Sequence, residues 1–148
     1  MVVFTGTYPF KLDRKGRVSL PASFRGALQD ADRFFLFPSP NHSALEACSI
    51  DFMEKLQNAV IAQADIFSKQ EDSMSWLFAE SRDINIDDTG RFIIPNDFLS
   101  YADLVLDGKL FFVGHGTRFF IWNETHLHQY KKKRTPLKNL KLVSSAPS

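Results

Sequence analysis

The strongest constraint on the fold of this chain is an internal repeat that spans half its length. Residues 12–24 read LDRKGRVSLPASF and residues 86–98 read IDDTGRFIIPNDF, an offset of 74 residues in a chain of 148. Aspartate, glycine, arginine, proline and phenylalanine recur in register. Two copies at this spacing indicate a duplicated supersecondary unit, because a solenoid needs three or more shorter repeats.

Each copy begins with a predicted turn. Asp13 and Asp87 favour turns because their carboxylates accept hydrogen bonds from nearby backbone N–H groups. Gly16 and Gly90 supply a positive φ, which residues with side chains disfavour. This is hairpin chemistry, so we expect each turn to join two paired strands. Together with Arg91, these four residues are interpreted as structural turn residues.

Short strands and helices are predicted after each turn. Pro21 and Pro95 each end a strand, because proline cannot donate to a β-ladder. A short helix and two apolar strands follow in each copy, with Asn96 or Asp97 capping the second short helix. Ser49 is predicted to cap a helix over 50–67, and another helix is predicted over 71–79. The pattern favours an α+β fold with a barrel-like core.

Three pairs of adjacent phenylalanines lie in the predicted strands, at 34–35, 111–112 and 119–120. Neighbouring side chains of a strand point to opposite faces of the sheet. Both faces therefore need a cover, which either a helix layer or a second subunit would supply.

The charge of the chain is unevenly distributed. The formal net charge is +1, yet residues 1–33 carry +3, residues 34–128 carry −8 and residues 129–148 carry +6. The near-neutral total is not that of a generic polyanion binder. The two basic ends are the parts of the chain that suit a polyanion.

Several classes of protein are excluded by what the sequence lacks. Cys48 is the single cysteine, so no internal disulfide forms and a reducing compartment is expected. No apolar run approaches a membrane span and no signal peptide is evident, which predicts a cytoplasmic protein. His126 and His128 lie two residues apart, which is not metal-ligand spacing on a helix. With no nucleophile–base pair and no phosphate-binding loop, we predict no enzyme, cofactor, metal or small-molecule substrate.

The two D-x-x-G-R-x-x-x-P units identify a resemblance, together with FTG at 4–6 and VGHGTRFFIW at 113–122. Over residues 1–130 the chain resembles the MraZ family of bacterial transcriptional regulators, which is related to AbrB-type DNA-binding domains. The sequence departs from the family pattern at Cys48, where a tryptophan is common, and at 96–99, which lack a basic residue.

This resemblance implies both a fold and a function. The implied fold is α+β, a double-split β-barrel (AbrB-like) built from two internal repeats with short helices. The implied function is that of a ring-like homo-oligomer that binds double-stranded DNA at tandem direct repeats. Those repeats would lie in the promoter of the bacterial division and cell-wall gene cluster, and the protein would associate with the nucleoid. The resemblance also indicates that Arg17 is required for function.

Four segments follow from the repeat and the resemblance. The first AbrB-like repeat with its helix covers 1–66, a helical connector 67–81 and the second AbrB-like repeat 82–130. A last helix is predicted over 123–130, and 131–148 is predicted to be a basic flexible tail.

The first turn is the predicted DNA contact because it is basic. Asp13 is the only acid beside its cations, whereas Arg91 lies among four aspartates, so phosphate is attracted to the first turn and repelled by the second. We expect the first turn to lie on a β-ribbon that enters a groove. The predicted DNA-binding residues are Lys11, Arg14, Lys15, Arg17 and Arg25.

The sequence leaves three alternatives. Arg17 and Arg91 recur in both copies, so this arginine either contacts DNA or bonds the aspartate of its own turn. The basic run 131–134 either attracts DNA or keeps the tail soluble. An antitoxin-like protein-interaction module of the same barrel group is the second candidate function, although the basic tail is short for a toxin-binding segment.

Overall fold

The computed structural model describes residues 3–63 and 69–140, with only the backbone described for residue 63 and residues 69–74. The predicted α+β class is confirmed, since short helices accompany a mostly antiparallel sheet. The strands are β1 (Thr7–Lys11), β2 (Arg17–Ser19), β3 (Arg33–Pro38), β4 (Ala44–Cys48), β5 (Arg82–Asn85), β6 (Arg91–Ile93), β7 (Lys109–Gly114) and β8 (Phe119–Asn123). The helices are α1 (Ala22–Ala27), α2 (Ile50–Gln63), α3 (Lys69–Glu80), α4 (Asn96–Tyr101) and α5 (Glu124–Lys133), followed by a 3-10 turn, Leu137–Asn139.

The strands form a six-stranded and a two-stranded sheet. The larger sheet has the order β1-β7-β8-β4-β3-β5, and the smaller one pairs β2 with β6. All of these pairs are antiparallel. Among the described residues the hydrogen-bonded order begins at β1 and ends at β5, so backbone pairing does not close the larger sheet into a barrel.

The predicted hairpins are wrong, although both turns form. β1 pairs with β7 and β2 pairs with β6, so the first turn joins two strands that belong to different sheets. The second turn likewise joins β5, which pairs with β3, to β6. Turn chemistry reports only local backbone geometry, whereas the partner of a strand depends on packing between distant segments.

The main core lies between the two sheets and is rich in phenylalanine. Val18 and Phe92 point inward from the small sheet, and both are almost fully buried. Phe34 meets Phe92 edge-to-face, with ring centroids 5.0 Å apart, and Phe24 meets Phe4 in the same way at 5.3 Å. Such perpendicular ring contacts add favourable electrostatics to the burial of apolar surface.

Helices cover the outer side of the large sheet, as the phenylalanine pairs require. Phe35 packs with Met53 of α2 and with residues of α3, and Phe120 packs with Leu127 of α5. Cys48 is buried in the first of these clusters. Helices therefore supply one of the two covers that the sequence allows.

The helix ends follow local side-chain chemistry in part. Ser49 Oγ accepts a hydrogen bond from Phe52 N at 3.0 Å, so the predicted cap of α2 is confirmed. Residues 64–67 of that predicted helix lie outside the described residues. The predicted cap at Asn96 or Asp97 is wrong, because both residues lie inside α4 and Pro95 precedes it with no side-chain cap. α5 continues to Lys133, three residues beyond the predicted end, and 141–148 of the predicted tail lie outside the described residues.

Candidate nucleic-acid interface

Both turns are closed by the carboxylate of their own aspartate. Asp13 Oδ1 accepts hydrogen bonds from Lys15 N and Arg17 N, each at 2.8 Å. Asp87 Oδ1 accepts from the equivalent positions, Thr89 N and Arg91 N, each at 2.9 Å. The glycine of each turn adopts a positive φ, +80° in the first and +82° in the second. The two turns therefore share one geometry.

The hydrogen bonds to Asp13 hold its carboxylate in the ionised form. The backbone N–H of Arg17 is the largest cause, and it lowers the pKa of Asp13 to about 2 with help from the Arg17 guanidinium and the Lys15 N–H. The pKa of Asp87 is lowered as well, first by the backbone N–H of Arg91 and then by Thr89. A carboxylate that accepts several N–H groups favours its charged form.

The pairing of β2 with β6 forms a ribbon with one outer face. Arg17 lies opposite Ile93, and Ser19 lies opposite Arg91. Because alternate residues share a face, these four side chains lie on the side away from the core. Arg17 and Arg91 are diagonal neighbours, about 7–8 Å apart at Cα. The sequence predicted a ribbon within the first copy, whereas the structure builds it from one strand of each copy.

The turns lie at the two ends of this ribbon. Ile94 N donates to Gly16 O at 2.9 Å, and Leu20 N donates to Gly90 O at 2.9 Å. Each turn is therefore bonded to the strand of the other copy. We use the term ribbon face for the outer face of β2 and β6 together with these two turns.

Each arginine of the ribbon face is oriented by its own turn. Arg17 Nε donates to Asp13 Oδ2 at 2.8 Å, and both side chains are about one-third exposed, at 34% and 38%. Arg91 Nε donates to Thr89 Oγ1 at 3.1 Å and lies 3.7 Å from Asp87 Oδ2. The terminal nitrogens of both arginines make no hydrogen bond with any residue that the structure describes. A structural role for the Nε edge is thus compatible with ligand binding by the terminal nitrogens.

Arg25 lies at the second turn rather than the first. A Cβ atom placed on Gly90 would lie 2.7 Å from Arg25 Nη1, so the guanidinium packs directly on this glycine. The cause is the strand pairing, because β2 ends beside Gly90 and α1 follows β2. Leu99 occupies the position of the second repeat that is equivalent to Arg25. Its Cδ1 lies 4.0 Å from the point where a Cβ on Gly16 would lie, so the first turn has a leucine where the second has Arg25. The sequence had grouped Arg25 with the first turn by proximity along the chain.

The remaining predicted cations surround the first turn. Lys11 Nζ lies 3.1 Å from Asp107 Oδ1, and Arg14 Nε lies 3.6 Å from Asp107 Oδ2. Lys15 is exposed at the tip and forms no ion pair with another described residue. Asp107 was not among the residues that the sequence indicated, since it lies 93 positions from Arg14. Its equivalent one repeat earlier is Arg33, so no repeated pattern marks it.

An open cavity of about 470 Å³ lies beside the ribbon face. Arg17, Arg91 and Ile93 line it from the ribbon, and Asp83 and Asp87 line it from β5 and the second turn. Within the described part of the chain, no group of three histidine, cysteine or acidic residues is placed to hold a metal ion. His126 instead lies at hydrogen-bond distance from Asp103, with Nε2 and Oδ2 2.7 Å apart. Among the described residues, no helix has the length and hydropathy needed to cross a membrane.

Comparison with known proteins confirms the resemblance. A family model described as "MraZ protein, putative antitoxin-like" matches residues 3–61 and 77–141. The "Transcriptional regulator MraZ" of Pelagibacter ubique is 32% identical over 144 residues, covering 96% of this chain and 92% of the relative. The proteins of the same name from Hyphomonas neptunium and Rhodospirillum rubrum are 37% and 34% identical, covering 88% and 90% of this chain and 80% and 88% of each relative. The chain belongs to the MraZ family.

Proposed function

We propose that this chain is a DNA-binding transcriptional regulator that recognises a specific sequence through its ribbon face. One observation carries the proposal: the exposed side of β2 and β6 presents two oriented arginines, with further cations at both flanking turns. The relatives are named as transcriptional regulators, and none of those names describes an enzyme. We accordingly assign no enzymatic activity to the chain.

The proposed contacts divide into base recognition and phosphate binding. The planar guanidinium of Arg17 can fork onto a guanine edge through its terminal nitrogens while Asp13 holds its Nε. Arg14 and Lys15, at the tip of the first turn, would contact phosphates and set the register on the duplex. A two-stranded ribbon fits the major groove of B-form DNA. Lys11 and Arg25 complete the proposed DNA-binding set.

The first turn remains the stronger proposed contact. Asp87 and Asp88 oppose phosphate at the second turn, and the guanidinium of Arg25 offsets part of their charge. Arg91 is proposed to act mainly in holding the second turn, through Thr89 and Asp87.

We infer the assembly of the chain and its DNA target from the family resemblance. We infer a double-split barrel built from two repeats, 1–66 and 82–130. The helical connector 67–81 joins them, and the basic tail 131–148 follows. The chain is proposed to form a ring-like homo-oligomer in the cytoplasm and nucleoid, and to bind tandem direct repeats upstream of the division and cell-wall genes. Identical ribbon faces on one assembly would bind tandem sites with a gain in effective concentration.

Footprinting on the DNA upstream of the protein's own gene tests this function. Wild-type protein should protect short, evenly spaced repeats, and Arg17→Ala should abolish protection while size-exclusion chromatography shows an unchanged assembly. Lys55→Ala serves as the control, because it removes one positive charge from an exposed position on α2, which covers the outer side of the large sheet. Equal protection by Arg17→Ala and wild type would exclude the proposed role of the ribbon face.

An antitoxin-like interaction module is the second candidate function. The description of the matching family model includes the words antitoxin-like, which favours it. Stoichiometric co-purification with one small protein, without protection of the upstream DNA, would support this candidate over the first.

A further inference from the structure

We propose that Asp107 determines DNA specificity by limiting the attraction of the first turn for phosphate. The inference rests on the proposed function of the ribbon face. The carboxylate of Asp107 contacts two of the five proposed DNA-binding cations, Lys11 at 3.1 Å and Arg14 at 3.6 Å. Phosphate must compete with this carboxylate for both cations, and it is also repelled by the carboxylate itself.

The backbone holds Asp107 in this place. Leu12 N, directly before the first turn, donates to Gly108 O at 2.8 Å, and Gly108 N donates to Val105 O at 3.0 Å. Asp107 adopts a φ of +66°, in the left-handed region that aspartate and asparagine tolerate better than most residues. The loop between α4 and β7 is thus fastened to the strand that leads into the turn.

The contacts of Asp107 are too exposed to serve mainly as stabilising ion pairs. The side chains of Lys11 and Arg14 are 71% and 86% exposed, and that of Asp107 is 45% exposed. Exposed pairs of this kind contribute little to folding. Their effect on an approaching polyanion is larger, because DNA brings several charges to the same cations at once.

The consequence differs between specific and non-specific DNA. Non-specific binding depends on phosphate attraction, and the protein can shift along the duplex to place Lys11 and Arg14 against phosphates. In a specific complex, base contacts of Arg17 fix the register, so these two cations have less freedom to improve their contacts. Asp107 therefore weakens non-specific binding more than specific binding.

The test compares Asp107→Asn with Asp103→Asn in titrations of the full chain. The two duplexes are the DNA upstream of the protein's own gene and a shuffled duplex of equal length and composition. Asparagine tolerates the positive φ at both positions, +66° and +53°, and both changes remove one negative charge. The carboxylate of Asp103 pairs with His126 of α5 instead of with the first turn. If circular dichroism shows that Asp107→Asn is unfolded, Asp107→Gly replaces it, because glycine also tolerates a positive φ.

Asp107→Asn should raise the affinity for the shuffled duplex about two- to tenfold, the size expected from freeing two exposed ion pairs. The affinity for the upstream duplex should rise less, so that the ratio of the upstream affinity to the shuffled affinity falls. The slope of log affinity against log salt should steepen by about 0.9 for each further phosphate neutralised. Asp103→Asn should leave the ratio unchanged.

Two results would overturn the inference while the proposed function stands. One is an equal change in the affinities for the two duplexes by Asp107→Asn and Asp103→Asn, which would assign the change to net charge alone. The other is weaker binding of both duplexes by Asp107→Asn, which would mean that Asp107 places Lys11 and Arg14 for contact. Absence of binding of either duplex by wild-type protein at low salt would instead overturn the proposed function, and the inference with it.

Discussion

Arg25 Nη1 lies 2.7 Å from the point where a side chain on Gly90 would begin, so the guanidinium of one repeat rests on the turn of the other. This contact links α1 to the second turn across the ribbon. It also places a cation at the second turn, which contains Asp87 and Asp88 and whose own sequence supplies only Arg91.

Gly90→Ala should therefore weaken DNA binding by displacing Arg25. A Cβ at this position overlaps Nη1, Cζ and Cδ of Arg25, the nearest being 2.7 Å away. We expect Arg25→Ala to weaken binding several-fold, and the double variant to lose no more than Arg25→Ala alone, because the two changes remove the same contact. Additive losses in DNA titrations would show that the two residues act separately.

Gly16→Ala provides the control for backbone strain. Its φ matches that of Gly90, but the nearest atom to its Cβ, Ile94 O, lies 3.5 Å away. Both alanine variants should lose about 1–2 kcal/mol of unfolding free energy from the left-handed backbone. A much larger loss for Gly90→Ala in urea unfolding would indicate that Arg25 cannot move aside.

Asp13 should make the folded state sensitive to acid in a defined range. Its pKa is about 2 in the folded protein, against an ordinary value of 3.8. A carboxyl with a depressed folded pKa contributes stability above its unfolded pKa, and this contribution is lost as the pH falls through the folded value. Between about pH 4 and pH 2 the urea midpoint of wild type should fall more steeply than that of Asp13→Asn, which keeps the Oδ1 acceptor. Parallel curves for the two proteins would contradict the lowered pKa.

The buried carboxylate of Glu46 is paired with Arg118. Glu46 Oε1 lies 2.9 Å from Arg118 Nε, and Ser39 Oγ donates to Glu46 Oε2 at 2.7 Å. Arg118→Leu should destabilise the fold by about 2–3 kcal/mol, less than for a fully buried pair because the side chain of Arg118 is 41% exposed. Adding Glu46→Gln should recover part of this loss, since it removes the unpaired carboxylate. Urea unfolding of both single variants and the double variant measures the coupling, and additive losses would contradict it.

Cys48 should be unreactive in the folded protein. Burial is the main cause that raises the pKa of its thiol to about 12, and the nearby charge of Glu46 raises it further. The thiolate is the nucleophilic form, so little reactive sulfur is present at pH 8. A colorimetric thiol reagent should modify Cys48 only after denaturation in urea. Rapid modification of native protein would show that β4 opens readily.

Much of the local structure could be predicted from the repeat. Aspartate and glycine at fixed positions specify the two turns, because the required hydrogen bonds and the positive φ involve residues only two to four apart. Pro21 and Pro95 correctly predicted the boundaries between strand and helix, and the predicted cap of α2 at Ser49 is confirmed. The predicted cap of α4 does not form, because Asn96 and Asp97 lie inside the helix, where Asp97 forms an ion pair with Arg82 of β5.

The candidate site could be predicted only as a set of cations near the first turn. Their relation to the second repeat depends on the pairing of β2 with β6, which joins segments 74 residues apart along the chain. Hydrophobic burial of Val18 and Phe92 favours this pairing, yet the same two side chains would also fit other partners in a phenylalanine-rich core.

The sequence by itself determined the turns, the prolines that separate strand from helix in each repeat, and the concentration of positive charge around the first turn. These properties arise from interactions within a few residues. The tertiary structure decided that Arg17 and Arg91 share one face, that Arg25 lies on Gly90, and that Asp107 meets Lys11 and Arg14. Such contacts require strands and loops from both repeats to pack on one core, because only that packing brings distant segments together.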